Sequence, residues 1–326
     1  WNVSIQRQLT STLSVELAYV GNHSNRAFIG GGPNADYNQA TIVGYGTLNQ
    51  NQRRPFFNGQ APTPYGADFG WTQNIANFCS CGKTDYQSIQ AKIQRRFNHG
   101  YSFLAHYTFQ KAKDNDGNYF FINPDLGYGP NPFGRDHNFV LSGIAELPFG
   151  KGKKWASNAS GLGQAVIGNW QINLNAFIQS GIPFDVTYAG AGNDRDTGPN
   201  RPDLIGDTGG SKTQEEWFNA APIGAPGSAF GRPAAGTFGN LPRNSLTGPG
   251  YQRVDASLFK KFPIGRTNLE FRLEVVNLLN HVNLGNPNAE VGTATDARPD
   301  AGLINSTAFF NADPQRNLQF ALRFQF

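Results

Sequence analysis

The chain has 326 residues, with 27 Lys and Arg against 23 Asp and Glu, and a formal net charge of +4. It is 38% hydrophobic and 15% charged, where soluble domains run at roughly 45–50% and 25%. Mean hydropathy is −0.46, and no apolar run reaches the ~18 residues that a spanning helix needs, so a helical membrane protein is excluded.

The positive charge contains no basic run interleaved with aromatics, which argues against nucleic acid as a partner. Lys151, Lys153 and Lys154 lie together in a Gly-rich stretch and read as a solvated turn. The 26 Phe, 39 Gly and 20 Pro suit many strands joined by irregular loops.

In chain order, nine segments alternate apolar and polar residues with period two. Segment 1–9 aligns Trp1, Val3, Ile5 and Leu9. Segment 12–20 aligns Leu13, Val15, Leu17 and Tyr19. Segment 86–97 sets Ile89, Ala91, Ile93 and Phe97 against Gln90, Lys92, Gln94 and Arg96. Segment 101–110 aligns Tyr101, Phe103, Ala105, Tyr107 and Phe109. Segment 136–147 aligns Phe139, Leu141, Gly143, Ala145 and Leu147, and segment 168–179 aligns Trp170, Ile172, Leu174, Ala176 and Ile178. Segment 251–262 aligns Val254, Ala256, Leu258 and Phe262. Segment 268–279 sets Leu269, Phe271, Leu273 and Val275 against Glu270, Arg272 and Glu274. The last, 317–326, aligns Leu318, Phe320, Leu322, Phe324 and Phe326 against Gln319, Ala321, Arg323 and Gln325. Each is about 9–12 residues, the length a tilted strand needs to cross a bilayer.

The connections alternate as well. Thr10–Ser11, Asn98–His99–Gly100 and Pro263–Thr267 are tight hairpins, whereas 21–85, 111–135, 180–250 and 280–316 are long. One short-side link, Pro148 to Ile167, is longer than its siblings and has room for a small helix. Structureless loops of this length do not belong in an ordinary compact domain. They are the rule at one end of an outer-membrane β-barrel, which has long extracellular loops and short periplasmic turns.

A lipid-facing Arg or Lys at mid-depth costs roughly 2–4 kcal/mol. The charged side of each strand is therefore expected to face the lumen, and the Phe and Leu side the lipid. Lys92, Arg96, Glu270, Arg272, Glu274 and Arg323 are the lumen-facing candidates. The chain ends on an aromatic strand, and Phe320, Leu322, Phe324 and Phe326 are read as a signal for the barrel-insertion machinery. Such barrels have even strand numbers, and nine is odd. With no Met anywhere and a start at Trp1, the whole of 1–326 is expected to be the C-terminal portion of a larger barrel.

The strings DYQSIQAKIQRRFNHGYSFLAHYTFQKAKD, FGRDHNFVLSGIAELPFGKGKKW, GNWQINLNAFIQSGIPFDV, LEFRLEVVNLLNHVNLGNP and DPQRNLQFALRFQF resemble TonB-dependent receptors. More narrowly, they resemble the Oar-like group of acidobacteria and related soil bacteria. The resemblance implies an all-β, antiparallel up-and-down transmembrane barrel of about 22 strands with a plug domain, of which roughly 13 strands and the plug would precede Trp1. It implies a bacterial outer-membrane location, with lipid, the insertion machinery and, through the plug, the TonB energising complex as partners. It further implies uptake of a bulky nutrient of siderophore, cobalamin or oligosaccharide type, without enzymatic chemistry or cofactor. Oar-like proteins leave a second reading open, a surface or adhesion role without active transport. A soluble β-sandwich alternates in the same way, and the one-ended loops weigh against it.

Individual candidates are few. Asp194, Arg195, Asp196, Arg201 and Asp203 crowd one long loop and are the candidates for touching a ligand. DNDGN at 114–118 resembles the start of a calcium loop, making Asp114 and Asp116 metal candidates, but Asp125 stands where a bidentate Glu belongs. A solvated turn is the plainer reading. Cys79 and Cys81 are too few for a zinc site and read as a loop disulfide in an oxidising compartment. The five His are scattered, and no HExxH, Gly-x-Ser-x-Gly or phosphate-loop pattern occurs.

Overall fold

The computed structural model describes residues 1–30, 36–41, 47–57, 69–76, 78–115, 124–189, 200–308 and 315–326. Nine long strands follow one another in a single antiparallel order. They are β1 (Asn2–Gln8), β2 (Leu13–Gly30), β3 (Phe78–Asn98), β4 (Tyr101–Asp114), β5 (His137–Glu146), β6 (Trp170–Gln179), β7 (Tyr251–Ile264), β8 (Thr267–Val276) and β9 (Asn317–Gln325). The two-residue strand Gly129–Pro130 adds to β4. Among the described residues β1 and β9 each pair on one side only, so these strands form a wall that does not close on itself.

The register carries the sequence alternation across the whole wall. Val15, Ile93, Ala105, Leu141, Ala176 and Val254 stand in one cross-strand row. Between β8 and β9 the pairs Val275–Leu318, Leu273–Phe320, Phe271–Leu322 and Leu269–Phe324 continue the pattern. A slip of one residue would turn each strand inside out, so this match fixes the register. The apolar face it makes is uncovered: Ile5 is 71% exposed and Leu322 72%. An uncovered apolar face of this size is a surface made for lipid or for another protein.

The turns at one end are short for local reasons. Thr10 Oγ1 accepts from the backbone N–H groups of Thr12 and Leu13 at 3.3 and 3.1 Å, closing the β1–β2 hairpin. His99 and Gly100 take φ of +52° and +89° between the paired Asn98 and Tyr101, the backbone sense of the two-residue turns that suit twisted strands. Gly265 at φ +59° turns β7 into β8. The fourth short-end link contains the helix α1 (Gly161–Ile167), inside the span where a small helix is expected.

β2 and β3 are longer than the alternation indicates, 18 and 21 residues, so the first long connection runs from 31 to 77 rather than from 21 to 85. Beyond the pair Tyr19–Ile89 both faces become polar, with Gly21 opposite Gln87 and His23 opposite Asp85. The ladder continues there, with irregularities between Ser24 and Ala27 and between Ala27 and Ile29. Hydrophobic period two stops where the apolar face ends, whereas backbone pairing does not, and that explains the difference. Cys79 and Cys81 lie on this projecting part of β3, their Cα atoms 5.2 Å apart.

At the same end, the described parts of 180–250 and 277–308 fold together into a lobe. Its core is Phe184, Val186, Tyr188, Phe218, Phe230, Leu241 and Val291, each nearly or wholly buried, with Phe218 5.7 Å from the Phe184 ring and 6.1 Å from Phe230. Short pairings tie it: Pro183–Phe184 with Leu246–Thr247, Thr187–Tyr188 in parallel with Glu290–Val291, and Asp203–Leu204 with Phe230–Gly231. Gly181 is required at its root, because a Cβ there would sit 1.8 Å from the Gly248 carbonyl oxygen. These connections are therefore long but not structureless.

Candidate functional site

The long connections gather at one end of the wall, and two clefts form among them. The larger, about 680 Å³, lies between the ends of β3 and β4, the 128–136 segment and the lobe. Asp85, Gln110, Lys111, Lys113, Tyr128, Asn131 and Asp136 line it from the wall side, and Asn244, Ser245 and Thr247 from the lobe. β4 supplies the two lysines because its last residues read Lys111-Ala112-Lys113-Asp114, past the last apolar row.

The polar groups of this cleft are largely held. Lys111 Nζ bonds the Asp136 carboxylate, and His23 Nδ1 lies 2.6 Å from Asp85. The Tyr128 hydroxyl donates to Asp85. Burial first, and then that hydrogen bond, push the Tyr128 phenol up to about 12. It therefore stays a neutral donor through the physiological range.

The smaller cleft, about 400 Å³, is lined by Arg135, Phe177, Gln179, Tyr251, Arg253 and Asp255. Arg253 Nε reaches both carboxylate oxygens of Asp255 at 2.9 and 3.0 Å. Arg135 Nη1 donates to the Ser180 carbonyl at 2.5 Å and lies 5.9 Å over the Tyr251 ring. Burial draws its guanidinium below the usual value. Both clefts offer fixed donors and acceptors beside aromatic rings, which suits a polar, hydrogen-bonding ligand.

The lobe is clamped to the wall by buried polar groups. Arg243 Nη1 donates to the Asp114 carboxylate at 2.6 Å, to the Asp114 carbonyl at 2.9 Å and to the Gly127 carbonyl at 3.1 Å. Asn244 Nδ2 reaches the Pro130 carbonyl at 2.7 Å. Arg201 Nη2 donates to the Leu126 carbonyl at 2.7 Å, and its Nε lies 3.6 Å from Asp185. Burial raises the Asp185 carboxyl, against the pull of Arg201 and Arg243 and a bond from the Asn244 backbone.

The sequence candidates are thus distributed unevenly. Arg201 is buried in the clamp, Asp203 accepts from the Asn240 N–H at 2.9 Å beside the Gly231 pairing, and neither lines a cleft. Asp114 is engaged by Arg243 rather than opening toward an ion, and among the described residues no cluster of His, Cys, Asp or Glu could hold a metal. Asp194, Arg195, Asp196 and Asp116 lie outside the described residues.

On the polar face, Lys92 pairs with Glu16 at 3.5 Å and Glu270 with Arg272 at 2.5 Å. Glu270 also faces Arg323 across the register, and Glu274 faces Gln319. Arg96 reaches the Ser11 carbonyl at the β1–β2 turn, 3.4 Å away. Phe320, Leu322, Phe324 and Phe326 all lie exposed on the last strand or just past it.

Sequence reasoning missed Lys111, Lys113, Tyr128 and Asp136. The available signal was the switch from Phe109 to lysines on one strand face. It also missed an aromatic group in the first long connection, where Trp71 lies 4.9 Å from the exposed Phe69 and 6.0 Å from Phe56.

The wall and its crown define a membrane-crossing β protein: an apolar band on one face, polar pairs on the other, and a folded, cleft-bearing end. The sequence matches the model of the outer membrane beta barrel domain over residues 1–319, and the chain belongs to that family. Its place is the bacterial outer membrane, and the apolar face is the side that meets lipid. No curated protein matches the chain. Among solved structures, it is similar to FpvA of P. aeruginosa bound to heterologous pyoverdines, at 12% identity and a TM-score of 0.45, over 100% of this chain and 26% of that one. It is similar to the ferric-catecholate import receptor Fiu of E. coli K12, at 12% identity and 0.38, over 100% and 35%. It is also similar to BauA, the ferric preacinetobactin receptor of Acinetobacter baumannii, at 10% and 0.37, over 100% and 36%. The chain thus spans between 26% and 36% of the length of these three proteins.

Proposed function

We propose that the chain is the C-terminal wall of a TonB-dependent outer-membrane receptor that imports a bulky polar nutrient, of the Oar-like group its motifs resemble. The observation that carries this reading is the asymmetry of the wall. Every connection at one end is short or locally folded, and the other end bears a lobe and two polar clefts. The long end faces outward to capture ligand, with Lys111, Lys113, Tyr128 and Asp136 as contacts. The short turns face the periplasm.

The polar register of Lys92, Arg96, Glu270, Arg272, Glu274 and Arg323 lines the lumen of a plugged barrel of about 22 strands. Phe320, Leu322, Phe324 and Phe326 form the insertion signal on the last strand. No bond is made or broken, because the work is binding, gating and passage.

The test is uptake by cells expressing the full-length protein. A lobe deletion from Pro183 to Thr247 is expected to abolish growth on the imported nutrient while the protein still inserts. Loss of TonB is expected to do the same. Uptake that survives loss of TonB would sink the active-transport reading. The Phe56–Phe69–Trp71 group, exposed at Phe69 and Trp71, favours a second reading, adhesion to a surface polymer through stacking. Loss of cell attachment in Trp71→Ala, with uptake unchanged, would select it.

A further inference from the structure

The β5–β6 connection, from Pro148 to Asn169, differs from the other short-end turns in carrying structure and charge. It holds Lys151, Lys153 and Lys154 and no Asp or Glu. Its helix α1 buries no residue, and Leu162 is 86% and Val166 66% exposed. A seven-residue helix does not hold itself in water, so its position depends on outside ties.

Two ties come from the apolar face of the wall. Trp170 Nε1 donates to the Val166 carbonyl at 2.8 Å. Lys260 Nζ donates to the same carbonyl at 3.1 Å and to that of Gly168. Trp170 and Lys260 oppose each other across β6 and β7, on the face that carries Ile172 and Leu258. They therefore pin the C-terminal end of α1 to the lipid side of the wall, not to the polar side.

The same ties account for a lysine on a lipid-facing position. Lys260 is 2% exposed, with its ammonium 4.8 Å over the Trp170 ring and its protons on the open carbonyls at the helix end. Trp155 stands in the turn ahead of the helix, 49% exposed, 5.0 Å from Phe149 and under the Lys154 ammonium at 5.4 Å. Lys153 turns back to Glu146 at 2.6 Å, which leaves Lys151 and Lys154 as the exposed cations of the turn.

We infer that this connection is an interfacial anchor. Leu162, Val166 and Trp155 sink into the upper acyl region of the leaflet at the short-turn end, and Lys151 and Lys154 meet anionic phospholipid headgroups. Continuity with the lipid-facing rows and a basic rim without acids select this occupant, since membrane interfaces favour amphipathic helices, tryptophans and flanking lysines. The choice of the periplasmic leaflet rests on the orientation given under Proposed function; the lipid contact itself does not.

The test reconstitutes the full-length protein into phosphatidylethanolamine vesicles with and without phosphatidylglycerol. The Trp155 signal is taken as the difference from a Trp155→Phe variant. Quenching of that signal by lipids brominated near the headgroup is expected, and it should deepen with phosphatidylglycerol. Lys151→Ala combined with Lys154→Ala should lower the phosphatidylglycerol dependence several-fold, while heat-modifiable migration stays normal. A Trp155 signal quenched by aqueous iodide and indifferent to brominated lipid overturns the inference, as does an unchanged phosphatidylglycerol dependence in the lysine variant. Labelling of Lys154 by an impermeant amine reagent on intact cells would instead overturn the orientation, and leaves the quenching result to decide the anchor.

Discussion

The wall β1–β9 and the lobe both rely on Phe and Leu, and they place them in opposite ways. On the wall most large apolar residues stand on one uncovered face, where Phe320 and Leu322 are 65% and 72% exposed, while polar pairs such as Lys92–Glu16 lie on the other face. In the lobe Phe218 and Phe230 are wholly buried, and the partly buried Trp217, Ile223 and Leu246 pack against their cluster. One part is built for a hydrocarbon solvent and the other for water. Within a single chain, the solvent beyond each region decides which side a side chain takes.

That contrast can be broken from either side. The largest effect is expected in the lobe, where Phe218→Ala should cost about 3–5 kcal/mol of local stability through the cavity it leaves. Hydrogen exchange should then accelerate across the lobe amides, while wall amides and heat-modifiable migration stay as they were. Accelerated exchange in β7 and β8 to the same degree would show that the lobe and wall are one cooperative unit.

On the wall, Leu273→Arg places a charge on the lipid face and should cost roughly 2–4 kcal/mol in a bilayer. Glu274→Gln, one residue along on the polar face, should cost much less. Equal losses in urea unfolding from vesicles would mean the two faces are not in different solvents.

The smallest effect is a pH dependence confined to the lobe. Burial raises the Asp185 carboxyl above its ordinary 3.8, so the folded lobe holds that proton more tightly than the unfolded chain. Its contribution to stability is full below the ordinary value and is lost as pH rises through the raised one. Asp185→Asn should therefore match the parent protein in acid and equal or exceed it at neutral pH, measured as lobe exchange protection. An Asn variant weaker at neutral pH than in acid, relative to the parent, would refute the direction.

The wall was legible in the sequence because a bilayer imposes a rule on every second residue. Alternation located all nine strands, and the register of Val15, Ile93, Ala105, Leu141, Ala176 and Val254 realises it row by row. The same rule falls silent outside the membrane. The upper halves of β2 and β3 carry polar residues on both faces, so they read as loop, and the lobe strands of two residues are too short to show a period.

The clefts were hidden for a related reason. Lys111 on β4 and Asn244 in the lobe share a cleft only because the lobe folds back, and no local pattern encodes that approach. Arg201 was noticed for its charge, but burial, which the sequence does not display, made it a clamp residue.

The clamp between Arg243 and Asp114 joins groups 129 residues apart. Closing so long a loop directly would cost about 4 kcal/mol of chain entropy beyond the fixed part. Strand pairing provides a shortcut. Once β4, β5, β6 and β7 are zipped, Gln179 lies opposite both Asn138 and Tyr251, so only a short tether separates Arg243 from the end of β4. The remaining loop is about 15 residues, and the saving is about 2 kcal/mol. Docking the lobe onto a zipped wall is therefore cheaper in chain entropy than closing the 129-residue loop first. The clefts between lobe and wall thus take their shape at the least entropic cost once the strands that carry them are in place.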